Sequence, residues 1–227
     1  MRTICIIPAR LGSTRLKEKL LLRYQGRPIL RWTYESAMLS RAFDEVIIAT
    51  DSERICDEAR KWAGIVSLTG DCESGTDRVW RVVDNMREKP SIIVNLQGDE
   101  PGLEPADIYG FVLAMTDQSA DVFTGITAYR PGTVYASTAI GSMMISSFSR
   151  RGGQFSHIGI YGYTYDSLKE FCSLPQTAGE KSEKLEQLRG LENGMKYKGV
   201  YMRQNYGPID TDRDYRHFCG QGNRYGN

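Results

Sequence analysis

The sequence predicts an α/β fold: a mostly parallel sheet flanked by helices, with a smaller mixed or antiparallel lobe in the second half. Short apolar runs alternate with segments of helical periodicity over the first half of the chain, which is typical of successive β–α units. These runs lack polar alternation, as expected for strands buried on both faces. The 227 residues suffice for a single domain spanning 1–227, and we place the smaller lobe within it at approximately residues 125–165.

The first half begins with an apolar run that we expect Pro8 to end, because proline has no N–H to donate to a strand ladder. Pro28 suits the first turn of a helix, and Asp51 or Ser52 suits the cap of the next one. The patterns predict strands over residues 4–7, 45–50, 65–69 and 91–96, and helices over residues 28–40, 52–63, 76–86 and 105–115.

The second half changes character, with shorter and more aromatic runs. Leu185, Leu188 and Leu191 form the inner face of a charged helix that Gly194 closes. The patterns predict strands over residues 121–129, 133–147, 157–164 and 197–202, and helices over residues 180–193 and 211–219. The tail, residues 220–227, is rich in Gly and Asn, and we expect it to be frayed.

Composition excludes several classes of function. Lys and Arg number 29 against 28 Asp and Glu, a net charge of +1, so bulk charge favours neither nucleic acid nor an anionic membrane as a partner. Five scattered cysteines without a C-x-x-C pair argue against a disulfide framework or a structural zinc site. No run approaches the roughly 18 apolar residues of a membrane span. We therefore expect a soluble cytoplasmic protein.

A basic loop follows the first strand. It carries Arg10, Arg15, Lys17 and Lys19 against a single acid, Glu18. Open α/β sheets bind ligands outside the carboxyl ends of their strands, so this loop lies where an anion would bind. The position favours a polyphosphate site over the alternative, a solvated basic turn.

Two further loops lie at strand-to-helix junctions. In the first, Ser74 and Thr76 are cap-type residues and Gly75 permits close backbone approach, so that amides there can face an anion or a base. An ordinary capped helix start would explain that segment equally well. In the second, Asp99 follows a buried strand and Gly98 makes it accessible. This favours a Mg²⁺ ligand over a solvent turn, because Mg²⁺ takes one or two protein carboxylates beside phosphate and water.

Three acids, Asp210, Asp212 and Asp214, share one segment near the end of the chain. One of them could supply a second metal ligand, or Asp210 or Thr211 could cap the last helix.

His157 leads an apolar strand, where a histidine is more often structural than catalytic. No Walker A, G-x-G-x-x-G or G-x-S-x-G pattern follows any strand, which disfavours P-loop ATPases, dinucleotide binding and α/β-hydrolases.

Together these segments resemble the CMP-Kdo synthetases, or 3-deoxy-manno-octulosonate cytidylyltransferases. The matching stretches are IPAR (7–10), STRL (13–16) with Lys19, SGTDR (74–78), NLQGDEP (95–101), HIGIY (157–161), EKLEQLR (183–189), and DT (210–211) with Asp214. They occur in the family's order and span nearly the whole chain. The resemblance implies a Rossmann-like fold of the nucleotide-sugar transferase type.

The resemblance also implies an activity: transfer of CMP from CTP to the anomeric hydroxyl of a 3-deoxy-2-ulosonic acid, with release of pyrophosphate, for lipopolysaccharide or capsule synthesis. By likeness, the triphosphate would be held by Arg10, Ser13, Arg15 and Lys19, and the nucleotide would be bordered by Pro8, Ala9, Ser74, Gly75 and Arg78. Mg²⁺ would be bound by Asp99 and Asp210. The residues that would face the sugar acid are Gln97, His157, Tyr161, Glu186 and Gln187. Arg10, Lys19, Asp99 and Asp210 would be the catalytic set. The family also implies a homodimer, with the smaller lobe serving sugar binding and dimer contact.

The chain departs from the family pattern in two places. Family members commonly have Pro-Gly before the loop lysine, where this chain has Lys17 and Glu18. They also carry a proline-rich segment with an arginine for the sugar carboxylate, where this chain has only residues 147–153 before it reaches His157. Arg150 or Arg151 is the candidate replacement for that arginine. Two alternatives therefore stay open: a nucleotidyltransferase for another acceptor, such as a sugar phosphate, and a non-catalytic nucleotide-binding homologue.

Overall fold

The apolar runs form strands of a mixed sheet in a computed structural model that describes residues 1–13, 15–203 and 207–220. The strands are β1 (Thr3–Ala9), β2 (Arg23–Tyr24), β3 (Arg27–Pro28), β4 (Glu45–Thr50), β5 (Val66–Leu68), β6 (Ile92–Leu96), β7 (Val122–Ala128), β8 (Tyr135–Thr138), β9 (Ile145–Ser149), β10 (Phe155–Tyr163) and β11 (Tyr197–Tyr201). The helices are α1 (Ile29–Leu39), α2 (Glu53–Arg60), α3 (Gly75–Asp84), α4 (Pro105–Ala114), α5 (Tyr165–Ser173), α6 (Ala178–Glu183), α7 (Gln187–Glu192) and α8 (Asp212–Gly220). The frayed tail that we predicted lies, beyond Gly220, outside the described residues.

The main sheet has the strand order β11-β7-β10-β6-β1-β4-β5. Its half formed by β6, β1, β4 and β5 is parallel, whereas β10 runs antiparallel to both β6 and β7. Helices on both faces cover two buried apolar layers. This arrangement confirms the predicted α/β fold with a mostly parallel sheet. It also places the carboxyl ends of β1 and β6 side by side, since Ile6 pairs with Asn95.

The strands of the second half lie in the same sheet. β7 and β10 are central members of it, and β8 pairs with β10 and forms an antiparallel pair with β9. The segment expected as strand over residues 133–147 therefore divides into β8 and β9, with Gly141 at a positive φ of 71° between them. Every helix that the described residues form is too short or too polar to cross a membrane.

The prediction that Pro8 ends the first strand is wrong. β1 continues to Ala9, and Pro8 pairs with Ala49 of β4. The ladder to β6 stops at Ile6, so from that point only one side of β1 is paired. A strand position with one unpaired side tolerates a proline.

The predicted helix over residues 180–193 is also wrong as one element. It forms two short helices, α6 and α7, because Lys184 adopts a left-handed conformation with φ 52° and ψ 48°. Across this break Arg189 donates two hydrogen bonds, of 3.0 and 2.7 Å, to the buried carboxylate of Glu180. The ion pair thus joins the two helices where backbone hydrogen bonding is interrupted.

The remaining differences concern short elements. The sequence patterns assigned no helix to α5, which Thr164 and Ser167 start with reciprocal hydrogen bonds. The small β2–β3 hairpin was also not predicted. Ser52 rather than Asp51 caps α2, and that helix ends at Arg60 instead of Ala63. The other predicted helices and strands occur within about two or three residues of their expected bounds.

The Glu180–Arg189 pair generates a stability prediction. Both side chains are almost fully buried, with 8% and 4% exposed. We expect Arg189→Met to lower the free energy of unfolding by about 3 kcal/mol, because it leaves the Glu180 carboxylate buried and unpaired. Urea unfolding measures the change. The double variant Glu180→Met/Arg189→Met is the control: it should recover most of the loss, and equal destabilisation of both variants would contradict this account.

Candidate active site

The loops after β1 and β6 meet at one edge of the sheet and border a cavity of about 1320 Å³. A smaller cavity of about 150 Å³ adjoins it and shares part of its lining. The predicted site residues that line the larger cavity are Arg10, Arg15, Lys19, Gln97, Asp99, His157, Tyr161, Gln187 and Asp210, and the smaller cavity adds Pro8 and Ser13. Residues from both ends of the chain thus share one pocket.

Lys19 lies between the two predicted metal-binding carboxylates. Its ammonium contacts the Asp99 carboxylate and lies 2.8 Å from Oδ1 of Asp210, while Arg15 lies 2.9 Å from the other Asp210 oxygen. Burial alone would lower the pKa of Lys19, but the charges of Asp99 and Asp210 outweigh burial and raise that pKa above its ordinary value. The two carboxylates that meet at one cationic nitrogen are the candidate cation site, although the described residues contain no group of three or more potential metal ligands.

The last helix brings Asp210 to this position. Phe218 of α8 and Ile209 pack with Ile29 and Trp32 of α1, and the Ile209 amide donates a 2.9 Å hydrogen bond to the carbonyl of Asp99. The neighbouring acids have other partners. Asp214 accepts hydrogen bonds from Thr211 at the start of α8, and Asp212 pairs with Arg216. Asp214 also lines the cavity, but among the three acids in the described residues only Asp210 pairs with Lys19 beside Asp99.

The residue before Lys19 has an unusual backbone conformation. Glu18 is left-handed, with φ 50° and ψ 34°, and its carbonyl accepts a 2.8 Å hydrogen bond from Leu21 in the short 3₁₀ turn over Lys19–Leu21. The Glu18 carboxylate accepts two hydrogen bonds from Arg54, which hold the pKa of that carboxyl below its usual range. Glycine adopts this conformation readily, which accounts physically for the glycine that the resemblance leads us to expect here.

In the segment 74–78, at the start of α3, the side chains of Ser74 and Arg78 make hydrogen bonds within the protein. Ser74 caps α3 by accepting a 3.1 Å hydrogen bond from the Asp77 amide. Arg78 is buried and donates to Thr69, Gly70 and Asp51. As the described residues form them, neither cavity is lined by Ala9, Ser74, Gly75 or Arg78. Gly75 nevertheless lies beside the pocket, because a Cβ added there would come within 3.4 Å of the Gln97 amide nitrogen.

Glu186 contacts Ser74 and is not part of the lining of either cavity. Its Oε1 lies 2.6 Å from the Ser74 hydroxyl, which also lies 2.8 Å from Asp77 Oδ2. Burial raises the pKa of Glu186. The hydroxyl of Ser74 has one proton and lies between two carboxyl groups, so it can donate to only one of them at a time.

His157 is a neutral hydrogen-bonding group. Its Nε2 lies 2.9 Å from the Thr124 hydroxyl, which in turn donates to the carbonyl of Ile160. Because that hydroxyl has one proton, we assign the proton between the two side chains to Nε2, which leaves Nδ1 as an acceptor. Burial lowers the pKa of His157 to about 3. The imidazole therefore suits orientation of a ligand hydroxyl better than uptake of a proton.

Tyr161, Gln187 and Gln97 complete one wall of the larger cavity. The Tyr161 hydroxyl lies 3.4 Å from Gln187 Oε1, and Gln97 donates to Asn95 at 3.1 Å. Burial raises the pKa of Tyr161 far above its usual range, so its phenol stays protonated. This wall presents neutral polar groups, in contrast to the charged wall around Lys19.

Sequence reasoning missed several cavity residues. Arg130 and the turn that follows it line the cavity, as do Arg213 and His217 of α8. Glu100, a buried acid, accepts a 2.8 Å hydrogen bond from the Gly159 amide. A signal existed for Arg130, since the triplet Arg130-Pro131-Gly132 follows a strand. Of the two arginines left open, Arg150 lines the cavity, whereas Arg151 is 90% exposed and does not.

Comparison with known proteins gives one consistent result. The family model for cytidylyltransferases matches residues 4–147. A 3-deoxy-manno-octulosonate cytidylyltransferase of Thermodesulfovibrio yellowstonii is 36% identical over 94% of this chain and 95% of its own length. One from Rhodopirellula baltica is also 36% identical, over 97% of this chain and 98% of its own length.

A solved structure is similar over the same extent. It is a CMP:2-keto-3-deoxy-manno-octonic acid synthetase complexed with CTP, with a TM-score of 0.88 and 30% identity. The alignment covers 97% of this chain and 98% of that one. The similarity therefore includes both the parallel half of the sheet and the strands of the second half.

The state of His157 gives a pH prediction. The folded protein keeps this imidazole neutral down to about pH 3, whereas the unfolded chain binds the proton near pH 6.5. Over this pH range the unfolded chain binds a proton at His157 that the folded protein does not. The free energy of unfolding therefore falls as the pH drops from 6.5 towards 3, by up to about 1.4 kcal/mol per pH unit. Urea unfolding of the wild type and His157→Gln at several pH values should show their stability difference shrinking over this range. A constant difference would show that His157 is not held neutral.

Proposed function

The chain belongs to the 3-deoxy-manno-octulosonate cytidylyltransferase family, and from this premise we propose that it transfers CMP from CTP to 3-deoxy-D-manno-octulosonate (Kdo) or a closely related ulosonic acid. The anomeric oxygen of the acceptor bonds to the α-phosphorus, the bond from that phosphorus to the bridging oxygen breaks, pyrophosphate leaves, and the hydroxyl proton passes to water. One observation carries the proposal: Lys19 contacts both Asp99 and Asp210 in a cavity that Arg10 and Arg15 also line. This cavity, of about 1320 Å³, has room for a nucleotide and a sugar acid together.

The basic loop would hold the triphosphate. Arg10, Arg15 and Lys19 supply positive charge, and Ser13 supplies a hydroxyl from the adjoining cavity. These groups neutralise charge on the departing pyrophosphate, which is most of what such a transfer asks of a protein besides positioning. Pro8, Ala9, Ser74, Gly75 and Arg78 would border the cytidine, with Arg78 acting through the loop that it fixes to Asp51.

Asp99 and Asp210 fit Mg²⁺. Both contact one cationic nitrogen, and two carboxylates with room for phosphate oxygens and water are the donors that this ion prefers. Bound there, Mg²⁺ would neutralise charge at the α-phosphate and lower the pKa of the attacking hydroxyl, so that no separate general base is needed. Asp99 and Asp210 would then release Lys19, whose ammonium becomes free for the triphosphate.

The neutral wall would bind the acceptor. Nδ1 of His157 can accept from a sugar hydroxyl, while Tyr161, Gln97 and Gln187 offer further hydrogen bonds. Glu186 would contribute from behind Ser74, where it joins the acceptor wall to the cap of α3. Arg150 is the proposed partner of the acceptor carboxylate, because this residue lines the cavity and its guanidinium donates hydrogen bonds to the carbonyls of Glu183 and Lys184.

The proposal extends to assembly and location. We expect a homodimer whose contacts include the segment 125–165, where Tyr129 stacks on Tyr135 at a centroid distance of 5.1 Å and is half exposed. We also expect the enzyme in the cytoplasm, where its substrate CTP is found. Sedimentation equilibrium measures the first point directly.

An acceptor panel tests the function. With CTP and Mg²⁺, we expect pyrophosphate release with Kdo or another ulosonic acid and none with a sugar 1-phosphate. Asp99→Asn should reduce turnover at least about 100-fold, because it weakens the metal site, while much of the CTP binding remains. Calorimetry with CTP separates the two effects. Reaction with the sugar phosphate alone would refute the proposed acceptor, and unchanged turnover of Asp99→Asn would refute the metal assignment.

A pair of arginine variants tests the acceptor anchor. We expect Arg150→Ala to raise the KM for the ulosonic acid by about 10- to 100-fold, because a charge-assisted hydrogen bond is lost, with little change in the KM for CTP. Arg151→Ala is the matched control and should behave as the wild type, since its side chain is almost fully exposed. Equal effects of the two substitutions on steady-state kinetics would count against the assignment of Arg150.

A further inference from the structure

The loop that carries Lys19 depends on a backbone conformation that its own residue disfavours. Glu18, with φ 50° and ψ 34°, lies in the left-handed region. Side chains with a Cβ rarely adopt this region, because the Cβ crowds the following carbonyl oxygen. Something outside residue 18 must therefore hold it there.

Arg54 is placed to do so. Its two terminal nitrogens donate to the two carboxylate oxygens of Glu18, at 2.6 and 2.9 Å, a parallel two-bond pairing across 36 positions of sequence. The backbone at Arg54 is held in place, because the next residue, Ile55, is fully buried and Ser52 caps the helix. Within the described residues Glu18 makes no other ion pair.

The conformation of Glu18 determines where Lys19 leaves the loop. The carbonyl of Glu18 starts the turn over Lys19–Leu21 by accepting from the Leu21 amide. Leu20 is buried against the strand end, where a Cβ on Gly98 would come within 3.4 Å of it. Lys19 thus lies between a packed residue and a tethered one, with its ammonium directed at Asp99 and Asp210.

We propose that Arg54 is a positioning residue, which holds Glu18 in the left-handed conformation and so holds Lys19 at the phosphate end of the site. The effect on nucleotide rests on the proposed function, whereas the effect on loop order does not. Arg54 is on the outer side of α2 and does not line the cavity. It therefore acts through Glu18 and not on the substrate.

A double-mutant cycle tests this role. Arg54→Ala removes the tether and leaves the disfavoured conformation at residue 18. Glu18→Gly removes the ion pair with Arg54 and also the steric cost of the left-handed conformation, because glycine adopts this conformation without strain. Two readouts apply to each variant: kcat/KM for CTP at saturating acceptor, and the rate of tryptic cleavage at Arg15 and Lys17, mapped by mass spectrometry.

We expect Arg54→Ala to lower kcat/KM for CTP by about three- to tenfold and to speed loop cleavage by a similar factor, with unchanged KM for the acceptor and unchanged melting temperature. In the Glu18→Gly background the same substitution should change neither readout. Arg60→Ala is the matched control, because it removes another exposed ion pair, to Asp57 at 3.0 Å, from the same helix.

Two results would overturn the inference. One is that Arg54→Ala behaves like Arg60→Ala; the other is that it costs as much in the Glu18→Gly background as in the wild type. Failure of the proposed function has a different signature: no variant, the wild type included, would turn over CTP. The proteolysis readout would still decide whether Arg54 orders the loop.

Discussion

The contact of Lys19 with Asp99 and Asp210 is the interaction on which the site depends. The two carboxylates come from positions 80 and 191 residues away from the lysine, and side by side in a partly buried pocket they repel each other unless a cation lies between them. The fold meets this requirement with three separate devices. Parallel pairing of β1 and β6 aligns the two loops, Leu20 anchors the turn, and the packing of Phe218 on Trp32 brings in the last helix.

Local sequence patterns were sufficient for most of the fold, because buried parallel strands read as continuous apolar runs and helices as a period of 3.6. The position of the cavity followed from the same patterns, since the loops after β1 and β6 meet at one edge of the sheet. The predictions that failed depend on side-chain contacts that a local apolar period does not show. Nothing near Lys184 signals that the helix breaks there, because the compensating pair, Glu180 with Arg189, acts across the break. Likewise, no local pattern could show that Arg78 pairs with Asp51 or that Glu186 meets Ser74.

One network of hydrogen bonds and ion pairs connects the start of α3 to α6 and α7. Ser74, which caps α3, contacts both Asp77 and Glu186, and Arg189 of α7 lies 3.8 Å from Asp77 while it pairs with Glu180. The cap of α3 and the start of α7 therefore cannot shift independently. Gln187 lies on the same helical turn, is buried, and contacts the Tyr161 hydroxyl at 3.4 Å.

The helix break has a functional reading as well as a structural one. At Lys184 the chain turns left-handed, and the carbonyls of Glu183 and Lys184 then accept from Arg150 instead of continuing the helix. On the other side, Phe148 of β9 is buried and packs edge-on against His157, at a centroid distance of 5.5 Å. The short segment 147–153 is thus held in place without prolines. Arg150 donates hydrogen bonds to two carbonyls, and Phe148 packs against His157. Under the proposed function, this chain achieves with a helix break what a longer loop would achieve with its own rigidity.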